Sequence, residues 1–226
     1  MSRKSLACLL LVSMATTLAL GGCASDRPRS LETVRTVGDR AYDRGEYQTA
    51  FIEYSEVVDR SPADWRYRVN LGKTLLILER PRAAREHLAV AHNLRPNDER
   101  IVDLFAQAML EADDHDDLFS FLRQRVEQRR DVANYLRLGH FALRAGDVDE
   151  AERALLTAAR IDRGRTIEPQ LALAELYANI GDDERALRRL RMALSFDLNN
   201  EEVRQRIRAY GEIPGPSFVI VPDEAR

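Results

Sequence analysis

Lysine is almost missing from these 226 residues: Lys4 and Lys73 stand against 32 arginines. The bias reads as genome composition rather than as an arginine-specific chemistry. Cysteine occurs only at positions 8 and 23, so no disulfide framework holds the fold together. Basic charge is not in excess. With 34 lysines and arginines against 37 aspartates and glutamates, the formal charge of −3 lacks the surplus that binding a nucleic-acid backbone needs, and nucleic acid is excluded as a partner. Long apolar runs are also lacking; the one present, Leu6 to Leu20, falls short of the roughly 20 residues of a spanning helix.

Convergent chemistry is scarce as well. Four histidines, His87, His92, His115 and His140, are scattered, and the first two are five apart, which turns them away from a shared ligand face. The acidic run Glu111 to Asp117 lacks the glycine and terminal glutamate of a calcium loop, and Asp116 or Asp117 is expected to cap the next helix. No nucleophile and base, no metal set and no cofactor motif emerge, so a non-enzymatic chain without cofactors is expected.

What is present falls into two parts. At the start, Arg3 and Lys4 precede the apolar run, which ends in Leu20-Gly21-Gly22-Cys23. This resembles the lipobox of bacterial lipoproteins. The resemblance implies a signal peptide over 1–22 and an acylated N-terminal Cys23, with a short linker over 23–30. Processing would leave 32 basic and 37 acidic residues, a net of −5, and no cysteine free for a disulfide. Several acyl chains anchor stably where one does not. Ala24 occupies the position where aspartate would signal inner-membrane retention, so the resemblance implies the outer membrane, facing the periplasm.

The remainder is periodic. Apolar-small pairs recur at Val37-Gly38, Leu71-Gly72, Phe105-Ala106, Leu138-Gly139 and Leu173-Ala174, with gaps of 34, 34, 33 and 35. Each is followed by a turn and a second small or apolar residue: Gly45 with Ala50, Glu79 with Ala84, Asp113 with Leu118, Gly146 with Ala151, Gly181 with Ala186. Small residues on the inner face of one helix let a second approach, glycine suits the positive φ that ends a helix, and Pro62 and Pro96 close a pair. The expected contact is of Gly38, Gly72 and Gly139 with Ala50, Ala84 and Ala151.

Over 31–200 the chain resembles the tetratricopeptide repeat family. Gly38, Ala41, Gly45, Tyr47, Ala50, Tyr54 and Pro62 carry the pattern most fully, while the third copy departs from it at Leu118 and Arg125. The resemblance implies an all-α, right-handed α-solenoid of five helical hairpins over 31–64, 65–98, 99–131, 132–166 and 167–200. A capping helix is expected over 201–210, and the tail 211–226 is expected to be disordered or loosely docked, with a strand or groove-binding arm as the alternative.

The register places Arg35, Asp39, Tyr42, Val69, Lys73, Leu76, Arg100, Asp103, Gln107, Leu136, His140, Leu143, Leu171, Glu175 and Asn179 on the concave face. There the resemblance implies a protein or peptide partner. Arg35, Asn70 and Arg100 match parts of the family's carboxylate clamp, but Asp39 and Leu104 replace an asparagine and an arginine of it. Only seven residues, Ala24 to Ser30, separate Cys23 from the first helix, a reach of at most about 25 Å. The combination resembles small repeat lipoproteins that help assemble secretins, pili or other envelope machines. The competing expectation is an enzyme or ligand-binding protein that uses the groove for a small molecule or glycan.

Overall fold

A computed structural model of the chain describes residues 29–225. The leader, the lipobox and Cys23 lie outside the described residues. Among these residues are eleven α-helices and no strand: α1 (Leu31–Asp43), α2 (Tyr47–Arg60), α3 (Trp65–Ile77), α4 (Pro81–Leu94), α5 (Glu99–Glu111), α6 (His115–Gln128), α7 (Val132–Arg144), α8 (Val148–Asp162), α9 (Glu168–Asn179), α10 (Asp183–Ala193) and α11 (Glu201–Ala209). Successive helices pack in antiparallel pairs, α1 on α2 through α9 on α10, and each pair packs on the next to build an α-solenoid.

Local chemistry sets the helix ends. Ser30, Asp64, Asp98 and Asp131 cap α1, α3, α5 and α7 by accepting backbone N–H bonds from Thr33, Arg66, Arg100 and Asn134. Within each pair the first helix ends in a residue of positive φ: Gly45 (+76°), Glu79 (+56°), Asp113 (+63°), Gly146 (+82°) and Gly181 (+74°). The next N–H then reaches back five residues, as Glu46 does to the Ala41 carbonyl at 2.9 Å and Asp182 to that of Tyr177 at 2.8 Å, which satisfies orphan carbonyls at the helix end. Glu79 and Asp113 hold the glycine position without being glycine.

The nearest neighbour of each glycine differs from the expected alanine, although at Gly139 the Ala151 carbonyl oxygen is also within 3.4 Å of an added Cβ. A Cβ placed on Gly38 would lie 2.9 Å from Tyr54, one on Gly72 2.6 Å from Leu88 Cγ, and one on Gly139 2.5 Å from Leu155 Cγ. Each partner is a large residue 16 positions on, one turn beyond Ala50, Ala84 or Ala151. The glycine therefore makes room for a leucine or tyrosine to lie across the first helix, while the alanine is buried within the same pair.

In the third pair Leu118 is fully buried where the repeat pattern has an alanine, and Arg125 is buried with it. The terminal nitrogens of the Arg125 guanidinium donate to the Pro96 carbonyl at 3.1 Å and the Glu99 carboxylate at 3.2 Å, while its buried Nε has no partner among the described residues. The N-cap of α6 is Asp114, not Asp116 or Asp117, and its side chain makes no cap bond. Asp114 and Asp117 instead face Arg85 of α4, so inter-repeat pairing takes the carboxylates that capping would have used.

Beside this pair the His92 ring stacks on Phe105 at 5.7 Å and meets the edge of Phe121 at 5.2 Å. Burial, with Arg125 adding to it, pushes the His92 pKa down, and burial beside Arg68 does the same to His87. The unfolded chain protonates both near 6.5 while the folded chain resists, so the unfolded state binds more protons below that pH. Their contribution to stability is complete above about 6.5 and is lost as pH falls below it. The urea midpoint should therefore drop between pH 7.5 and 5.5, and His92→Leu should make the drop smaller; an undiminished drop contradicts the assignment to this ring.

The tail is docked rather than loose, and it is neither strand nor groove arm. Arg191 Nε donates to the Phe218 carbonyl at 2.8 Å with its guanidinium 4.6 Å from the Phe218 ring. Phe218 and Val219 pack on the core of α9, α10 and α11. Arg188 pairs with Asp223 and Arg189 with Glu224, and a 3-10 turn over Asp223–Ala225 lies against α8. Three arginines of α10 hold the tail, Arg191 through a backbone carbonyl and Arg188 and Arg189 through carboxylates, which an apolar run read alone does not reveal.

Candidate binding groove

The first helices of the pairs also touch one another, α3 with α5, α5 with α7 and α7 with α9, so their free faces form one continuous inner surface. Toward its C-terminal end a hollow of about 440 Å³ is spanned by three of these helices. Asp103 and Gln107 come from α5, His140, Phe141, Leu143 and Arg144 from α7, and Glu175 and Asn179 from α9. Helical spacing explains the set. Positions four apart on one helix point the same way, and equivalent positions of neighbouring repeats line up across the groove.

The polar groups here differ in how committed they are. Asp103 accepts from Arg137 Nε at 2.5 Å, and Gln107 donates to Glu111 at 2.8 Å. His140, Glu175 and Asn179 are exposed and have no hydrogen bond or ion pair among the described residues. A second hollow of about 270 Å³ lies between α3 and α5, lined by Trp65, Arg66, Val69, Asn70, Lys73, Asp98, Arg100, Ile101 and Leu104. Lys73 and Arg66 have no ion pair among the described residues, whereas Arg100 is bound to Asp98 at 3.0 Å and holds that carboxyl below the usual range.

The first repeat is different. The Asp39 carboxylate accepts from Tyr54 at 3.0 Å and Tyr67 at 3.3 Å, and Arg35 pairs with Asp64 at 2.8 Å while lying 5.1 Å from the Tyr67 ring. Burial, reinforced by the Asp39 bond, pushes the Tyr54 phenol far above its ordinary pKa, so it serves as a permanent donor. Tyr42 packs edge-on to Tyr47 at 5.5 Å. These residues hold α1, α2 and α3 together. Val69 is buried with Ala91 and Ile101, and Leu76, Leu136, Leu143 and Leu171 are half-buried against the core, forming a floor rather than free contacts.

The chain matches no protein-family model and no curated protein. Solved structures do match. MamA superposes with a TM-score of 0.56 over 82% of this chain and 98% of its own, at 20% identity. A MamA from Desulfovibrio magneticus gives 0.55 over 76% and 97% at 17% identity. TTC0263, a thermophilic tetratricopeptide-repeat protein of Thermus thermophilus, gives 0.52 over 80% and 98% at 21% identity. The fold is that of the tetratricopeptide repeat.

In this tetratricopeptide solenoid the parts of a carboxylate clamp do not converge into a free basic site. Arg35 is taken by Asp64 and Arg100 by Asp98, while Asp39 adds a negative charge between two tyrosines. Reading the sequence missed Arg144 and Phe141 in the larger hollow, although Arg144 follows His140 by four and shares its face. It also missed Trp65 and Arg66 at the mouth of the smaller one. Among the described residues no group of three or more histidines, cysteines or carboxylates is placed to hold a metal ion.

Proposed function

We propose that the chain is a non-catalytic adaptor, anchored to the bacterial envelope through an acylated Cys23, whose concave groove holds an extended segment of a partner protein. The observation that carries the reading is the hollow shared by α5, α7 and α9. Its exposed His140, Glu175 and Asn179 are free to bond outward above a floor containing Phe141 and Leu143. Such a mixture suits a peptide, whose backbone amides need polar partners and whose apolar side chains need a floor. Assembly of a secretin, pilus or another envelope complex is the process this arrangement serves best, because the seven residues after Cys23 keep the solenoid close to its membrane.

Two arms of one experiment test this. Affinity capture from detergent-solubilised membranes should recover a specific protein with wild type and lose it with Lys73→Ala, His140→Ala and Asn179→Ala combined; unchanged recovery removes the groove from the account. Intact-mass analysis of the purified chain should show Cys23 acylated, and Cys23→Ser should leave an unprocessed precursor. Normal maturation of that variant refutes the anchor.

A further inference from the structure

Antiparallel pairing gathers the connections between repeats on one edge of the solenoid and the turns within repeats on the other. Contacts follow this division: Arg95 lies 5.1 Å from the Trp65 ring and Arg125 bonds the Pro96 carbonyl on the first edge, and Arg85 pairs with Asp114 on the second. The two edges differ in charge. The turns 43–46, 79–82, 111–117, 144–150 and 182–185 hold fourteen acidic residues and five arginines, whereas the connections 59–68, 95–100, 127–131 and 160–168 hold ten arginines and eight acidic residues. The connection into α11, with Asp197 and Glu201, ends the basic stretch.

Which charges are spare matters more than the totals. On the connection edge the carboxylates are largely engaged: Asp64 by Arg35, Asp98 by Arg100, Glu99 by Arg125 and Arg137, Asp131 by Arg129, and Asp162 by the backbone of its own loop. Arg66, Arg95, Arg130, Arg160, Arg163 and Arg165 are exposed and have no ion pair among the described residues. The last three line one hollow together with Ile161. Trp65, held between Arg66 and Arg95, and the exposed Leu94 supply apolar surface on the same edge.

We propose that this connection edge lies flat against a bilayer carrying anionic phospholipid headgroups. Spare arginines interleaved with tryptophan, leucine and isoleucine are the composition that an interface of phosphates over acyl chains attracts. The point of chain entry agrees, because Arg60 holds the Arg29 carbonyl at 2.9 Å on this edge, six residues after Cys23. The inference deepens the anchored-adaptor reading and rests on it for the identity of the surface. Its consequence is an orientation, with the acidic turns facing away from the membrane.

Residues 24–226 contain every described helix and lack the acylation site, so vesicle binding by this chain is independent of the anchor. Sedimentation with vesicles of phosphatidylcholine and phosphatidylglycerol should show binding that weakens as salt rises, and vesicles of phosphatidylcholine alone should show little. Arg160→Gln, Arg163→Gln and Arg165→Gln combined should lower binding by about tenfold or more with the melting temperature unchanged. Asp116→Asn with Asp149→Asn, on the other edge, should not lower it. Failure of the wild type to prefer anionic vesicles, equal binding by the triple variant, or binding to a DNA duplex as tight as to the vesicles overturns the proposal. Unacylated Cys23 in the intact-mass experiment would instead count against the anchor.

Discussion

Gly139→Val lowers the stability of the folded chain by about 3 kcal/mol, at the upper end of what overpacking costs. The new Cβ falls 2.5 Å from Leu155 Cγ and 3.4 Å from the Ala151 carbonyl oxygen. Leu155 has no room to retreat, since it is fully buried among Ala142, Leu173, Leu176 and Tyr177. Either α7 and α8 separate, giving up contacts along both helices, or Leu155 leaves its rotamer. Valine's better helix propensity returns only roughly 0.4 kcal/mol. Thermal unfolding checks the size of the effect, and a double-mutant cycle checks its cause. Leu155→Ala alone costs about 2–5 kcal/mol through its cavity, but combined with Gly139→Val the two must be less than additive, because the valine methyls occupy part of the space. Full additivity would mean that the two side chains do not meet. Gly146→Ala is the contrast: nothing lies within 4 Å of its added Cβ, so only its φ of +82° opposes the change, by about 1 kcal/mol.

Glu224→Ala destabilises the C-terminal end by about 3 kcal/mol, because it strands a buried cation. Arg189 Nη1 reaches Glu224 at 2.7 Å and Gln170 Oε1 at 2.9 Å, and the side chains of the ion pair are only 11% and 9% exposed. Although burial pushes the Glu224 pKa up, the Arg189 guanidinium, helped by the Gln170 amide, holds it below the ordinary carboxylate range. A carboxylate depressed in the folded state stabilises above its unfolded pKa, near 4.3, and the contribution disappears as pH falls through the folded value. Wild type should thus lose this advantage in acid while Glu224→Ala does not. Arg189→Met added to Glu224→Ala should recover much of the loss at pH 7, since an apolar pair replaces an orphaned charge. A stable single variant, or a double variant no better than the single one, contradicts the assignment of structural weight to the docked tail.

Much of the fold is legible in the sequence because close approach and helix termination each demand particular residue types. Gly38, Gly72 and Gly139 mark where helices cross, and Gly45, Gly146 and Gly181 mark positive φ. Spacing alone does not say which residue faces a glycine. Alanine is the match that size suggests, yet steric complementarity pairs the glycine with Tyr54, Leu88 or Leu155 one turn on. Side-chain pairing is still less legible. The register places Asp39 and Arg35 on the inner face, but their bonds to Tyr54, Tyr67 and Asp64 depend on three helices meeting. Equally, Asp103, Gln107, His140, Glu175 and Asn179 are far apart in sequence and share one hollow only through stacking. The tail is opaque because its partners, Arg188, Arg189 and Arg191, lie on a helix well before it in the chain, and no spacing rule pairs them with Asp223, Glu224 and the Phe218 carbonyl.

The central claim is that the inner face of the stacked first helices grips another polypeptide. Site-specific photocross-linking in intact membranes addresses it directly, with the photoreactive residue placed at 140 in the groove or at 86 on the exposed face of α4. A protein adduct at 140 and none at 86 is the result this account requires. Adducts at 86 with position 140 silent would place the partner on the outer surface and contradict it.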